Sequence, residues 1–380
     1  MAPSTLLLAL CSGIASMLGF LFVTAITQAD RQANRWLGMF YMCLACTFSQ
    51  LFLYKAEMSQ QLPLLVHLLE LPVWATMPCL YLAVLTFTGQ RVSNRHLVHF
   101  VPAFCFLVYS MLYLMPPLMG IDRPAPRLPF WLVVLIRYFY ACQLAFYWIL
   151  SYLKLSIHRK QLLRVASSIE YVNLNWLKNF LLAVLSMIVI KSIPTQPVSD
   201  SVVPLIYFAG MLLLGYYSVR QQTVHHLDLA TVNSLKIDQG HMDQSYIQQG
   251  YKQAMERLDP EQLEKLQRKV LGLTVEQKLY LDPSLTLPDL SAATGIRVQD
   301  LSYVLNKGLK KSFYQFINEL RVEEAKILLH SDKVKTLDML GIATHAGFNS
   351  KTTFNTTFKK TTGLTPSQFQ KLANASMATR

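Results

Sequence analysis

The sequence predicts an all-α chain: a seven-helix transmembrane bundle over residues 1–220, a connector over 221–265, and a cytoplasmic tandem helix-turn-helix domain over 266–380. Three observations lead there. Of the 380 residues, 52% are apolar and only 15% charged, well below the ~25% charge of an average soluble chain. Seven apolar stretches long enough to cross a bilayer fill the first 220 residues. Two similar helix–Gly–helix patterns flank an amphipathic helix near the C-terminus.

The spans lie near 4–27, 35–54, 64–88, 97–115, 129–153, 176–193 and 202–219. No Lys or Arg precedes the first, so it does not read as a cleaved signal peptide. With a cytoplasmic C-terminus, the inner connectors carry Arg31, Arg35, Arg91, Arg95, Lys154, Arg159, Lys160, Arg164, Lys178 and Arg220. The outer side then holds Lys55, Arg123, Arg127 and Lys191. Ten cations against four obeys the positive-inside rule and sets the N-terminus outside. Seven spans require the termini to face opposite sides, and the two arguments agree.

Ionisable groups inside spans mark function or a fixed pair. Glu70 and Arg137 lie at similar depth in the third and fifth spans, with His67 one turn from Glu70. Two readings stand: a buried ion pair that fixes packing, or the floor of a signal pocket open to the outside. The outer connector at 115–129 is too short for a sensor domain, so a signal has to act on the spans. All six cysteines fall in apolar segments and lack zinc-ligand spacing, so they read as core-filling residues. His225, His226 and His241 read as solvated; no metal or other cofactor is expected.

Charge is blocked along the chain. Residues 1–220 have 15 Lys/Arg against 6 Asp/Glu, residues 221–265 have 4 against 7, and residues 266–380 have 16 against 9. A basic C-terminal block points toward a polyanion. Before it, Asp259 reads as an N-cap, Pro260 as the first helical residue, and Gln262 stands three after the cap. Leu263, Leu266, Val270 and Leu273 then repeat at helical spacing, for packing on a second copy or on the C-terminal domain.

In the first helix-turn-helix pattern (285–309), Leu287, Leu290 and Ala293 mark a short helix, and Gly295 the turn. Leu301, Val304, Leu305 and Leu309 mark the buried face of the second helix. In the second pattern (336–360), Leu340, Ala343 and Ala346 pack a helix, Gly347 turns, and Phe354 and Phe358 anchor the next helix. Between them, residues 312–331 form an amphipathic helix with Phe313, Phe316, Ile317 and Leu320 on one face. Twenty residues at 1.5 Å give about 30 Å, close to the ~34 Å of one DNA turn. Such a rod suits two reading helices placed in successive major grooves.

Residues 270–372 resemble the DNA-binding domain of the AraC/XylS family of bacterial transcription regulators. The resemblance rests on Gly347-Phe348, Phe354, Phe358-Lys359-Lys360, Gly363, Thr365-Pro366 and Phe369, and on the helix "NELRVEEAKILL" (318–329). More loosely, residues 158–181 with 280–291 are similar to a membrane-anchored branch in which several spans precede this domain. The family resemblance implies that base edges are read by Gln299, Ser302 and Tyr303 in one helix and by Thr352, Thr353 and Thr356 in the other. Lys307, Lys351, Lys359 and Lys360 fit phosphate contacts, which add affinity but no sequence information. Tyr303 and Thr356 stand where the family usually has Arg, which argues against guanine readout there.

The expected function is therefore a membrane-embedded one-component transcription regulator and not an enzyme. Its expected partners are double-stranded promoter DNA, the inner-membrane bilayer, RNA polymerase, a second copy in a homodimer, and a small-molecule or membrane signal. The alternative is a transporter or membrane enzyme with a DNA-binding tail. Against it, the spans lack inverted repeats and a catalytic carboxylate/His cluster, and the C-terminal part has no phosphate-binding Gly loop.

Overall fold

A computed structural model describes residues 2–24, 31–90, 92–120, 129–167, 174–192, 199–219, 257–331 and 337–378. The expected connector therefore lies outside the described residues as far as 256. The fold is helical, and the described residues contain a single isolated β-bridge, Ala166 to Thr286. They form two compact units, one within Met1–His158 and Leu174–Thr223, the other within Arg159–Asn173 and Val224–Arg380. Residues 159–167, assigned by sequence to the membrane part, thus belong to the unit that carries the C-terminal helices.

The first unit contains α1 (Pro3–Val23), α2 (Arg31–Lys55), α3 (Pro63–Phe87), α4 (Asn94–Pro117), most of α5 (Phe130–Val165), α6 (Asn175–Ser192) and α7 (Ser199–Val219). Six of the described helices are long and apolar enough to cross a membrane; the apolar part of α6, Asn175–Ile190, is shorter. The count of seven thus rests on six full-length helices and one short one. Small residues bring α1 and α2 together. A Cβ on Gly38 would stand 2.7 Å from the backbone N of Val23, and one on Gly19 would stand 2.7 Å from Met42 Sδ. Close backbone approach of this kind lets apolar helices pack tightly where lipid supplies no hydrophobic drive.

Two polar pairs tie helices of the unit to one another. Tyr41 Oη pairs with Ser218 Oγ at 2.7 Å, and Trp148 Nε1 donates to Leu181 O at 2.8 Å. Cys11, Cys43 and Cys79 are buried, whereas Cys105 and Cys142 are exposed, so core filling accounts for only some of the cysteines. Phe20, Phe104 and Phe130 lie exposed on the exterior, an apolar surface compatible with lipid.

The second unit is built on α8 (Pro260–Glu276), α9 (Leu287–Thr294), α10 (Val298–Tyr303, closing in a π turn at Val304–Gly308), α11 (Phe313–His330), α12 (Met339–His345), α13 (Lys351–Thr362) and α14 (Pro366–Ala378). Asp259 caps α8 by accepting from Gln262 N at 2.7 Å. Val270 is fully buried and Leu263 and Leu266 pack beside it in the core with α9 and α10. Helix α8 thus packs on the C-terminal domain, one of the two expectations, and it runs straight through the boundary expected at 265/266.

Two separate cores share one helix. Val270, Tyr280, Leu287, Leu290, Leu301, Val304 and Leu305 join Phe313, Phe316 and Ile317 of α11. Val322, Ala325, Leu328 and Leu329 of the same helix join Ile342, Ala343, Ala346, Phe348, Phe354 and Phe358. The N-terminal half of α11 thus holds one helix-turn-helix unit and its C-terminal half the other. Two details differ from expectation. Ala293 and Leu340 are exposed, and the inward positions are Thr294 and Ile342. Both helices are short, so one step in the periodic assignment turns a residue from the core to solvent.

Candidate nucleic-acid interface

The turn of each unit needs a left-handed backbone. Gly295 ends α9 at φ +64°, and Gly347 follows α12 at φ +86°. At Gly347 there is also no room for a side chain. A Cβ would lie 2.6 Å from Tyr280 O and 3.0 Å from Leu281 Cα. Only glycine satisfies both the angle and the approach.

Beyond that turn, Ser350 caps α13, accepting from Thr353 N at 3.2 Å. Phe354 and Phe358 are fully buried, four residues apart, with ring centroids 5.6 Å from each other. Fixing these two points inward fixes what faces out. Lys351, Thr352, Thr356, Lys359 and Lys360 are all exposed, and Thr353 is half-buried at the cap. Thr352, Thr356 and Lys359 recur at four- and three-residue steps, which places them along one face. Gly363 at φ +81° then ends the helix.

The corresponding face of α10 is less open. Gln299 and Ser302 are half-buried, and Ser302 O accepts from Asn306 Nδ2 at 2.8 Å. Tyr303, however, is 8% exposed and lies inside the fold. A side chain this buried is a poorer base contact than the half-buried Gln299 and Ser302, so Tyr303 is left out of the contact set proposed below. Lys307, in the closing π turn, is exposed. Asp300 is buried and ion-paired with Arg257 and Arg297, which places the 67%-exposed Arg297 beside this helix as a further cation, one that no sequence motif marks.

Arg321 of α11 has no role assigned from the sequence. It is 1% exposed, and its guanidinium donates to Tyr280 O (2.7 Å), Asp282 O (2.7 Å), Ser167 O (3.1 Å), Ser167 Oγ (3.0 Å) and Asn318 Oδ1 (3.3 Å). Burial lowers its pKa to about 10, with Asp282 and Tyr314 opposing, so it stays charged at neutral pH. Nearby, Tyr280 donates to Glu324 Oε2 at 2.9 Å; burial and that carboxylate push its phenol up to about 12, and it stays protonated.

Residues 290–372 match the family model described as "Helix-turn-helix domain". The C-terminal unit carries an AraC-type helix-turn-helix domain. Over 105 residues, 28% of this chain, the sequence is 30% identical to the melibiose operon regulatory protein of Escherichia coli strain K12 and covers 33% of that protein. Over 94 residues, 24% of this chain, it is 34% identical to an "Uncharacterized HTH-type transcriptional regulator" of Staphylococcus aureus strain COL and covers 12% of it. The likeness is thus confined to about a quarter of this chain and a third or less of those relatives. No solved structure matches.

In the first unit, α3 holds His67 Nδ1 3.5 Å from Glu70 Oε2, both part-exposed. Arg137 lies on α5, but its side chain is outside the described residues, so the Glu70–Arg137 pairing is not addressed by the geometry.

Proposed function

We propose that this chain is a membrane-embedded one-component transcription regulator, its seven apolar helices holding a DNA-reading domain at the cytoplasmic face of the inner membrane. The observation that carries the reading is the exposed Thr352–Thr356–Lys359 face of α13, fixed by Phe354 and Phe358 in an AraC-type domain. Thr352 and Thr356 read base edges there, with Gln299 and Ser302 as their counterparts on α10, while Lys307, Lys351, Lys359 and Lys360 hold phosphates.

Six full-length apolar helices and the shorter α6 support seven spans. The 18 residues of α6 rise about 27 Å, a mismatch that a bilayer accommodates at modest cost. The ten-to-four cation bias sets the C-terminus inside. Glu70 with His67 and Arg137 forms the site at which a signal biases the spans, and the regulator works as a dimer with RNA polymerase at its promoters.

Promoter fragments cross-linked to the full chain in cells test the reading. The native chain enriches a defined set of promoters and the Thr352→Ala/Thr356→Ala double variant loses them; equal recovery by both chains would remove α13 as the reading helix.

A further inference from the structure

Arg321 stands where four parts of the second unit meet. Its own helix, α11, joins the two cores. Its Nε and Nη2 hold Tyr280 O and Asp282 O, on the segment leading into the first helix-turn-helix unit. On another side, a Cβ on Gly347, the turn of the second unit, would lie 3.1 Å from Arg321 Nε, and the Phe348 ring centroid is 5.9 Å from the guanidinium carbon. The fourth part is remote in sequence: Ala166 and Ser167, just past the end of α5.

These two residues are docked as a built contact. Ala166 bridges Thr286 in antiparallel fashion. Ser167 donates to Leu285 O from Oγ (2.6 Å) and from N (3.3 Å). Its carbonyl accepts from Arg321 Nη1 (3.1 Å) and Asn318 Nδ2 (2.9 Å), and its Oγ accepts from Arg321 Nη2 (3.0 Å). Ser167, Asn318 and Arg321 are each 1% exposed. Without residues 166–167, a buried guanidinium loses two of its five acceptors, and such a group is costly to leave unmet.

We infer that Ala166-Ser167 is a coupling strap, whose docking on Arg321 and Asn318 holds the two helix-turn-helix units in their DNA-competent arrangement. The inference rests on the DNA-reading function proposed above. With the strap seated, Arg321 clamps the lead-in of the first unit against the turn of the second, so both reading helices are presented together. With the strap withdrawn, the clamp loosens and the units engage DNA less in concert, which lowers the effective concentration of the second contact. The strap continues directly from α5, so a signal that alters the hold of the spans on α5 acts on DNA affinity through residues 166–167.

The test uses the full chain in lipid nanodiscs and duplexes that the native chain selects from a random pool. In a background with the six native cysteines replaced, Ala166→Cys/Thr286→Cys places two thiols at a bridged antiparallel pair, within disulfide reach. A cross-link is expected to form, and the oxidised chain to bind at least as tightly as its reduced form. Ser167→Pro, which removes the Oγ and the N–H, is expected to abolish that cross-link and to weaken binding by roughly tenfold or more, while hydrogen exchange in α11 stays protected. Failure to cross-link overturns the strap, as does equal or tighter binding once Ser167→Pro has abolished the cross-link. If the native chain selects no sequence at all, the DNA-reading function itself fails.

Discussion

At the scale of single residues, α13 divides its work by position. Phe354 and Phe358 were legible in the sequence because an i, i+4 aromatic pair in a polar helix has one evident use, and both are fully buried. Their outward neighbours followed by geometry. Arg321 was not legible: within "NELRVEEAK" it looks like any solvent-facing cation, and its acceptors at Ser167, Tyr280 and Asp282 are distant in sequence. Tyr303 misled for the converse reason, since a polar aromatic fits a groove or a core equally well and only packing decides. The exposed Lys359 and Lys360 have the simplest consequence. Replacing both by Ala weakens binding to every duplex alike and makes the salt dependence shallower by about 1.8 in log–log slope, near 0.9 for each lost phosphate contact. A salt titration by anisotropy checks this; an unchanged slope would remove both from the phosphate set.

At the scale of elements, α11 is the organising piece. Its amphipathic pattern announced a helix, and its length suggested a spacer. That its two halves serve different cores was not visible, because hydrophobic periodicity says which face is buried and not against what. Ile317 belongs to the first core and Leu329 to the second. Truncating either to Ala costs on the order of 2–5 kcal/mol at a well-packed site, but the damage is local. Ile317→Ala raises hydrogen exchange chiefly in α9 and α10, and Leu329→Ala chiefly in α12 and α13. Uniform loosening by either variant would show one cooperative core in place of two. The caps were easier to read: Asp259, with Pro260 and Gln262 after it, behaves as its sequence position requires.

At the scale of the whole molecule, the division into an apolar part and a basic helical part was plain from composition, because lipid and DNA impose opposite demands on side chains. The boundary was less plain. Hydropathy assigned everything before residue 220 to the membrane part, yet residues 159–167 fold with the second unit, since docking of a short polar segment leaves no periodic trace. The relatives match about a quarter of this chain, and the coupling of spans to DNA reading is proposed from this chain's own contacts.

The central claim, that two helix-turn-helix units of a membrane-held chain read one duplex together, is tested most directly by footprinting. The full native chain in nanodiscs, on a duplex it has selected, is predicted to protect two major-groove segments centred about 10.5 base pairs apart. Thr352→Ala/Thr356→Ala should erase one of them and spare the other. A single protected segment in the native chain, or protection that ignores sequence, would contradict the account.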